Sequence, residues 1–263
     1  MEFLLYLLLG SGAGVLAGLF GVGGGLIIVP VLVLSFGAQG FSPEVLTHLA
    51  VGTSLATIVF TSINSILTHH RKGAVRWPMV LWMTVGILFG AALGSLTAAA
   101  IQGPMLQRII GIFAIVMAVQ MAFDLRPKAS TGQPGQPGKV GLSLAGAVIG
   151  WASAIFGIGG GSLSVPYLSW RGLPMQQAVA TSAACGLPIA LAGAVSFIVV
   201  GWQTPDLPEW SLGFVYLPAV LGIAATSMFF ARLGARLAHR LSPRVLRLLF
   251  ALLLLSVGTH FLI

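Results

Sequence analysis

Apolar residues fill this chain in long runs that are separated by short polar or charged stretches. A helix needs about 20 residues to cross the hydrocarbon layer of a membrane. Eight runs are about this long or longer, at residues 3–37, 44–69, 77–101, 105–124, 140–170, 176–200, 212–238 and 244–262. The pattern therefore predicts an all-α polytopic membrane protein with four apolar segments in each half.

Composition agrees with that prediction. Of the 263 residues, 57% are hydrophobic and 7% are charged, whereas soluble domains carry roughly 25% charged residues. The net charge is +8, which in a soluble protein would suggest nucleic-acid binding. Here Lys and Arg lie in short loops between apolar runs, as they do in cytoplasmic loops of membrane proteins. We therefore expect a lipid bilayer as the partner and no nucleic acid.

Two stretches of the chain nearly duplicate each other. Residues 14–32 read GVLAGLFGVGGGLIIVPVL and residues 150–168 read GWASAIFGIGGGSLSVPYL, with nine of the 19 aligned positions identical. The repeat continues in Ala50–Ser54 (AVGTS) and Ala178–Ser182 (AVATS). Between the halves, residues 125–139 are rich in Pro, Gly, Gln and Ser and predict a water-exposed linker. We therefore divide the chain into repeat 1 (1–124), a linker (125–139) and repeat 2 (140–263).

Basic residues indicate that the two repeats have opposite orientations. The loop after the second segment contains Arg71, Lys72 and Arg76, whereas the equivalent loop at 201–211 has no Lys or Arg. The next pair of loops reverses this bias, with one Arg at 97–108 and five at 232–247. Basic loops favour the cytoplasm. The repeats are therefore predicted to be inverted, with a cytoplasmic linker and both termini outside.

The inversion predicts that the first and fifth segments are re-entrant. Segment 140–170 begins and ends on the same side, so it enters as a helix to mid-membrane and returns after its glycine break, and segment 3–37 does so from the other side. We expect six full spans and two opposed hairpins, that is, three transmembrane helices per repeat. Each returning helix is predicted to start near its proline, Pro30 or Pro166, because proline is favoured at a first helical position.

The glycine breaks are the strongest candidates for a binding site. Unwound backbone in a membrane is tolerated where it is buried in protein or lines a wet cavity. Free N–H groups at a helix start bind anions without a charged side chain. The residues predicted to contribute are Gly23, Gly24, Gly25, Gly159, Gly160, Gly161 and Ser162. The alternative is that these glycines only allow close helix packing, which is the interpretation we favour for Gly10, Gly14 and Gly18.

Several other polar residues lie within the apolar segments. Candidate substrate contacts are Thr53, Ser54, Asn64, Thr181, Ser182 and Cys185. The hydroxyls could instead bond their own i−4 carbonyls, Asn64 could join helices, and Cys185 could be a packing residue. His48 is expected near the outer end of its segment, where a proton-relay role is an alternative. No metal-ligand spacing or catalytic constellation is present, so we expect no cofactor and no enzyme.

These motifs resemble those of the TauE/SafE family of sulfite exporters and sulfonate permeases. The doubled FGxGGGxxxVPxL pattern, AVGTS, AVATS and HHRKGAVRW carry the resemblance over essentially the whole chain. It implies a secondary transporter in the bacterial cytoplasmic membrane that moves sulfite, thiosulfate or an organosulfonate. The alternatives are an anion channel of the same architecture and a transporter of a non-sulfur anion. The transport direction, the coupling ion and the formation of a homodimer are left open by the sequence.

Overall fold

The chain folds into helices throughout the part that the structure, a computed structural model, describes. That part comprises residues 2–20, 25–123, 138–238 and 243–263. The helices are α1 (Glu2–Phe20), α2 (Gly25–Ala38), α3 (Pro43–Arg71), α4 (Trp77–Ala99), α5 (Gly103–Ala122), α6 (Lys139–Phe156), α7 (Gly161–Trp170), α8 (Met175–Gly201), α9 (Leu217–Ala238) and α10 (Pro243–Leu262). Strands β1 (Ser211–Leu212) and β2 (Val215–Tyr216) form a short antiparallel hairpin before α9.

Helix boundaries follow the apolar runs closely. The starts of α3, α4 and α5 carry a proline at the first or second position, where its fixed φ suits a helix and its missing N–H costs nothing. Within the described residues, five helices are long and apolar enough to cross a membrane: α3, α4, α5, α6 and α8. Large apolar side chains such as Leu81, Val148 and Val199 are about two-thirds exposed on them. The chain is therefore a multi-pass membrane protein of helical class.

The centre of the molecule is the pair α3 and α8, which occupy equivalent places in the two repeats. Gly52 of α3 packs on Phe197 of α8, and Leu55 packs on Gly193. Farther along, Ser62 lies beside Gly186. Residue numbers rise along one helix as they fall along the other, so α3 and α8 run antiparallel. The equivalent helices α5 and α10 are also antiparallel, with Gly111 beside Phe261.

The first helix of each repeat packs along a helix of the other repeat. The helix α6 lies along α4 in parallel, where Gly86, Gly90 and Gly94 meet the carbonyl groups of Ser143, Ala147 and Trp151. A Cβ at any of these glycines would overlap the neighbouring backbone, so small residues set the helix distance. The helix α1 lies along α9 in the same way, through Gly10 and Gly14. The packing role predicted for these two glycines is confirmed, whereas the surroundings of Gly18 lie outside the described residues.

Basic side chains gather at one end of the bundle, which we call the basic face: Arg71, Lys72, Arg76, Lys139 and Arg171. Contacts join these helix ends. Arg76 Nε donates a 2.9 Å hydrogen bond to Gln177 at the start of α8. Lys139 Nζ lies 4.9 Å from the ring centroid of Trp82 in α4. The basic face therefore contains the ends of α3 and α7 and the starts of α4, α6 and α8.

Acidic side chains lie at the other end, which we call the opposite face. Glu44 at the start of α3 packs against Gly103 at the start of α5. Asp206 and Glu209 follow α8 in the loop that leads to β1. His48 connects α3 to the end of α4, since its Nε2 lies 3.0 Å from the carbonyl oxygen of Ala98. The predicted place of His48 near a segment end agrees with this geometry.

Both glycine breaks separate a longer helix from a shorter returning one, and two details of the prediction are wrong. The returning helices begin at Gly25 and Gly161, so that Pro30 and Pro166 lie inside α2 and α7. At the second break, the left-handed Gly160 leads the chain into α7 before Pro166 is reached. The helix α6 has 18 residues, or about 27 Å at 1.5 Å per residue, which is longer than a helix to mid-membrane needs.

Candidate binding site at the second glycine loop

The loop between α6 and α7 is built by glycines in the left-handed region of backbone space. Gly157 ends α6 with φ of 64°, and Gly160 precedes α7 with φ of 75°. Residues with a Cβ are disfavoured there. The N–H groups of Gly157 and Ile158 both donate to the carbonyl of Ser153, which closes the end of α6. The chain thus reverses direction within four residues, at 157–160.

Beyond Ile158 the loop presents free hydrogen-bond donors. The N–H groups of Leu163 and Ser164 donate to the Gly160 carbonyl at 3.0 and 2.7 Å. The N–H groups of Gly159, Gly160, Gly161 and Ser162 have no backbone acceptor among the described residues. The first N–H groups of any helix lack an intrahelical partner and carry partial positive charge. This loop therefore has the donor arrangement of an anion site.

Two buried hydroxyl groups converge on the same place. A Cβ added to Gly160 would lie 3.3 Å from Ser164 Oγ and 3.7 Å from Ser153 Oγ. Both serines are fully buried, and neither hydroxyl has a partner among the described residues. Leaving a buried hydroxyl unpaired costs about 1–3 kcal/mol. These two hydroxyls and the four free N–H groups make the surroundings of Gly160 the candidate binding site.

The loop lies in the middle of the protein, against both central helices. Ser54 Oγ, near the midpoint of α3, donates a 2.8 Å hydrogen bond to the Gly157 carbonyl. Gly186, near the midpoint of α8, would place a Cβ 2.9 Å from the Gly159 carbonyl. From the first hairpin, Gly25 would place one 2.8 Å from the Gly157 carbonyl. The start of α2 therefore meets the second loop.

Three of the four hydroxyls in the predicted Thr-Ser pairs, those of Thr53, Ser54 and Thr181, bond other parts of the protein rather than their own i−4 carbonyls. Thr53 Oγ1 accepts a 2.9 Å hydrogen bond from the N–H of Tyr216, just before α9. Thr181 Oγ1 accepts one of 3.1 Å from the N–H of Arg76, just before α4. The two threonines thus play equivalent parts in the two repeats. Ser182 is buried with an unpartnered hydroxyl on α8, one turn from Gly186.

The remaining predicted residues are placed less close to the loop. Asn64 is half-buried on α3, and it is the hydroxyl of Ser62 that lies 3.4 Å from the Cβ position of Gly186. Cys185 is fully buried as a free thiol beside Gly186 in the chain. Gly23 and Gly24 lie outside the described residues. The structure brings together Gly25, Gly159, Gly160, Gly161, Ser162 and Ser54.

Sequence reasoning missed Ser153 and Ser164. A comparison of the repeats contains a signal that could have found them. At the offset of 136 residues, Ser153, Ser162 and Ser164 stand opposite Ala17, Leu26 and Ile28. Three hydroxyl groups around a glycine loop, absent from its duplicate, are what an anion site in only one repeat would leave in the sequence.

A bound anion would have to be stabilised at this loop without charged side chains. No Asp, Glu, Lys or Arg occurs between Val140 and Trp170 or between Met175 and Gly201. Uncharged donors and helix dipoles stabilise anions strongly in a medium of low dielectric constant. His48 does not contribute a charge to this loop, because its ring lies against the carbonyl oxygens of Glu44, Ala98 and Ile101 at the opposite face.

Comparison with known proteins places the chain in a family. The sequence pattern described as Sulfite exporter TauE/SafE matches residues 6–261. A probable membrane transporter protein of Haemophilus influenzae is 40% identical over 98% of this chain and 97% of its own. Another from Methanocaldococcus jannaschii is 30% identical over 100% of this chain and 97% of its own. No solved structure matches the chain. The protein is thus a membrane transporter, not an enzyme, and belongs to the TauE/SafE sulfite exporter family.

Proposed function

We propose that this protein is a secondary transporter for a small sulfur-containing oxyanion, such as sulfite, thiosulfate or an organosulfonate. The anion binds at the second glycine loop. It is held by the N–H groups of Gly159–Ser162 and by the hydroxyls of Ser153 and Ser164. The observation that carries this proposal is the convergence of these free donors beside Gly160, in the middle of α3 and α8.

The proposed mechanism is alternating access between two inverted repeats. Repeats related by an axis along the membrane normal keep equivalent helices parallel, whereas inverted repeats make them antiparallel. The antiparallel pairs α3 with α8 and α5 with α10 support inversion. Rocking of one repeat against the other would expose the central loop to each side in turn. Because α1 packs on α9 and α6 on α4, each hairpin would move with helices of the other repeat.

The basic face is the proposed cytoplasmic face, because Lys and Arg favour cytoplasmic loops. Glu2 of α1 and Leu262 of α10 are then outside, given that α1 is parallel to α9 and α10 is antiparallel to α5. A bacterial cytoplasmic membrane is the proposed location. Lys72→Cys in intact cells would be protected from an impermeant maleimide, whereas Glu209→Cys would be labelled. Cys185 gives little background because it is buried. The reverse labelling pattern would overturn this orientation.

The substrate class has two supports of different kind. A site built from uncharged donors suits a small oxyanion and does not suit a cation. The sulfur atom is supported by the family description alone. The class is tested with purified protein in liposomes that are offered sulfite, thiosulfate, a small sulfonate, nitrate and phosphate. Saturable uptake of a sulfur oxyanion above the rate of protein-free liposomes is the expected result. Uptake of none of these anions would overturn the proposal.

The same liposomes distinguish a transporter from a channel. A transporter must change conformation in each cycle, so its rate saturates and counterflow of labelled substrate is seen. A channel would give unsaturated flux and unitary currents. We expect saturation and counterflow, and unitary currents would replace the transporter with an anion channel of the same fold.

The proposed ligands are tested with the double variant Ser153→Ala, Ser164→Ala. Hydrogen bonds to a charged ligand contribute about 1.5–3 kcal/mol each, so the Kd should rise by at least tenfold. The apo protein should keep its melting temperature or gain a few degrees, because two unpaired buried hydroxyls are removed. Ser227→Ala is the matched control, since Ser227 is also buried and unpartnered but lies on α9. Unchanged affinity in the double variant would remove these serines from the site.

A further inference from the structure

A stripe of polar side chains runs along α7 from the glycine loop to the basic face. Ser164, Tyr167 and Arg171 are spaced by three and four residues, which places them on one side of a helix. Each has a buried polar atom without a partner among the described residues: Ser164 Oγ, Tyr167 OH and Arg171 Nε. Helical rise separates Ser164 from Arg171 by about 10 Å. The stripe thus connects the loop with the end of the bundle.

Arg171 is held in place but is not neutralised. Its guanidinium carbon lies 5.5 Å from the ring centroid of Tyr167 and 5.3 Å from that of Trp170. These distances are typical of cation–π contacts, which orient a guanidinium without using its N–H groups. The Nε–H is buried and has no acceptor among the described residues. Burying such a donor costs free energy unless a ligand accepts its hydrogen bond.

The described part of the protein offers Arg171 no counter-charge. Glu44, Asp206 and Glu209 lie at the opposite face, and segment 140–170 contains no acidic residue. The buried phenol of Tyr167 adds a second unused donor next to the guanidinium. A guanidinium and a phenol together form a donor pair for an oxyanion.

We propose that Tyr167 and Arg171 form an entrance subsite for the transported oxyanion at the basic-face end of α7. The anion binds there first and then moves along α7 to Ser164 and the glycine loop. This inference rests on the proposed function, because it assumes that an anion occupies the loop. The loop has no positively charged side chain. In this proposal, Arg171 attracts the anion with its full positive charge.

The first hairpin has no equivalent subsite. The positions that correspond to Tyr167 and Arg171 are Val31 and Ser35 in α2. Val31 has no donor, and Ser35 Oγ already accepts a 2.9 Å hydrogen bond from Gln39 Nε2. Anions arriving at the basic face therefore meet a charged subsite at the end of α7 that the matching positions of α2 do not provide. The KM for substrate supplied to the basic face should depend on Arg171.

The test is initial-rate transport in liposomes with a sulfur oxyanion supplied to the basic face. The share of protein in each orientation is measured in every variant by labelling Glu209→Cys on the opposite face with an impermeant maleimide. Loss of a charge-assisted hydrogen bond should raise the KM of Arg171→Gln about tenfold, with Arg171→Lys intermediate. Tyr167→Phe should raise it about threefold, because it removes a neutral donor. The KM from the opposite face should change less.

Lys72→Gln is the matched control, because Lys72 is an exposed cation of the same face and lies outside the stripe. If it raises the KM as much as Arg171→Gln does, general surface charge acts and the subsite is wrong. A lipid phosphate is chemically similar to the substrate. An Arg171→Gln effect confined to vesicles containing phosphatidylglycerol, and absent from phosphatidylcholine vesicles, would assign Arg171 to lipid and overturn the subsite. If the wild-type protein moves no anion, the proposed function fails instead.

Discussion

The two hairpins share a backbone plan and differ in chemistry. Each consists of a first helix, a glycine break and a shorter returning helix that contains a proline, and each packs its first helix on the other repeat. Around the second break the chain has Ser153, Ser162 and Ser164, and around the first it has apolar residues. Duplication explains the shared plan. Under the proposed function, the second hairpin binds the ligand and the first hairpin closes the site around it.

Packing supports this division. Ile28, the counterpart of Ser164, is 3% exposed, so the returning helix of the first hairpin is an apolar wall. Gly25 at its start touches the backbone of Gly157 and Ile158. Under the proposed function, this contact would make the position of α2 depend on whether the loop is occupied, as alternating access requires. The comparison therefore predicts that the two hairpins respond differently to substitution.

The largest difference is expected from bulk at the glycines. Gly160→Leu must adopt a φ of 75° and overlap Ile189, at a cost of about 1–2 kcal/mol for the backbone and 1–3 kcal/mol for overpacking. Transport should fall below detection while the protein still inserts. Gly12→Leu in the first hairpin meets nothing within 4 Å and should transport normally. Uptake assays with quantified membrane insertion provide the measurement.

A second glycine variant separates loss of the site from loss of the fold. Gly160→Ala adds only one carbon, but that carbon requires Ile189 Cδ1 to move away and must sit on a residue with a left-handed φ. The protein should therefore melt several degrees below the wild type. It should also bind the anion at least tenfold more weakly, because the new methyl group lies beside Ser164 Oγ. Wild-type affinity in this variant would show that no ligand occupies that space.

A hydroxyl introduced into the first hairpin should lower the stability of the protein without strengthening anion binding. Ile28→Ser puts a polar group into the apolar wall and removes packing, which should destabilise the protein by about 2–4 kcal/mol. Binding affinity should not improve, because Ile28 is not beside the second loop's donors. Thermal unfolding in detergent measures the first effect and anion titration the second, with Ile28→Val (about 1 kcal/mol) as the control. Tighter anion binding in Ile28→Ser would contradict the one-sided site.

The sequence allowed much of the fold to be predicted, because membrane helices are bounded by clear local signals. Segment 44–69 corresponds to α3 (Pro43–Arg71), and 105–124 corresponds to α5 (Gly103–Ala122). The start of α7 differs from the prediction because the left-handed Gly160, and not Pro166, precedes the first residue of the helix. The packing of α1 on α9 was not predictable, since small residues at four-residue spacing indicate a close neighbour but not which one.

The candidate site was predicted in part for similar reasons. The glycine loops are visible as a duplicated local motif, and the loop around Gly160 has the free donors that were expected. Partners of hydroxyls depend on tertiary contacts, so sequence could not show that Thr53 and Thr181 hold backbone N–H groups while Ser153 and Ser164 remain unpaired. Under the proposed function, the differences between the repeats say more about the ligand than their identities do.

The smallest effects are expected at the threonines, where the two repeats are most alike. Thr53→Val removes the hydrogen bond from the N–H of Tyr216, which is buried, and should cost about 1–2 kcal/mol. Thr181→Val removes the bond from the N–H of Arg76, an exposed residue, where water can replace the lost acceptor, so the cost should stay below about 0.5 kcal/mol. Thermal unfolding of both variants, with Thr→Ser at each position as the control that keeps the hydroxyl, gives the comparison. Equal costs would mean that burial of the donor does not decide the strength of these bonds. A larger cost at Thr181 would mean that its hydrogen bond contributes more to stability than the bond of Thr53 does, by holding α8 beside the binding loop.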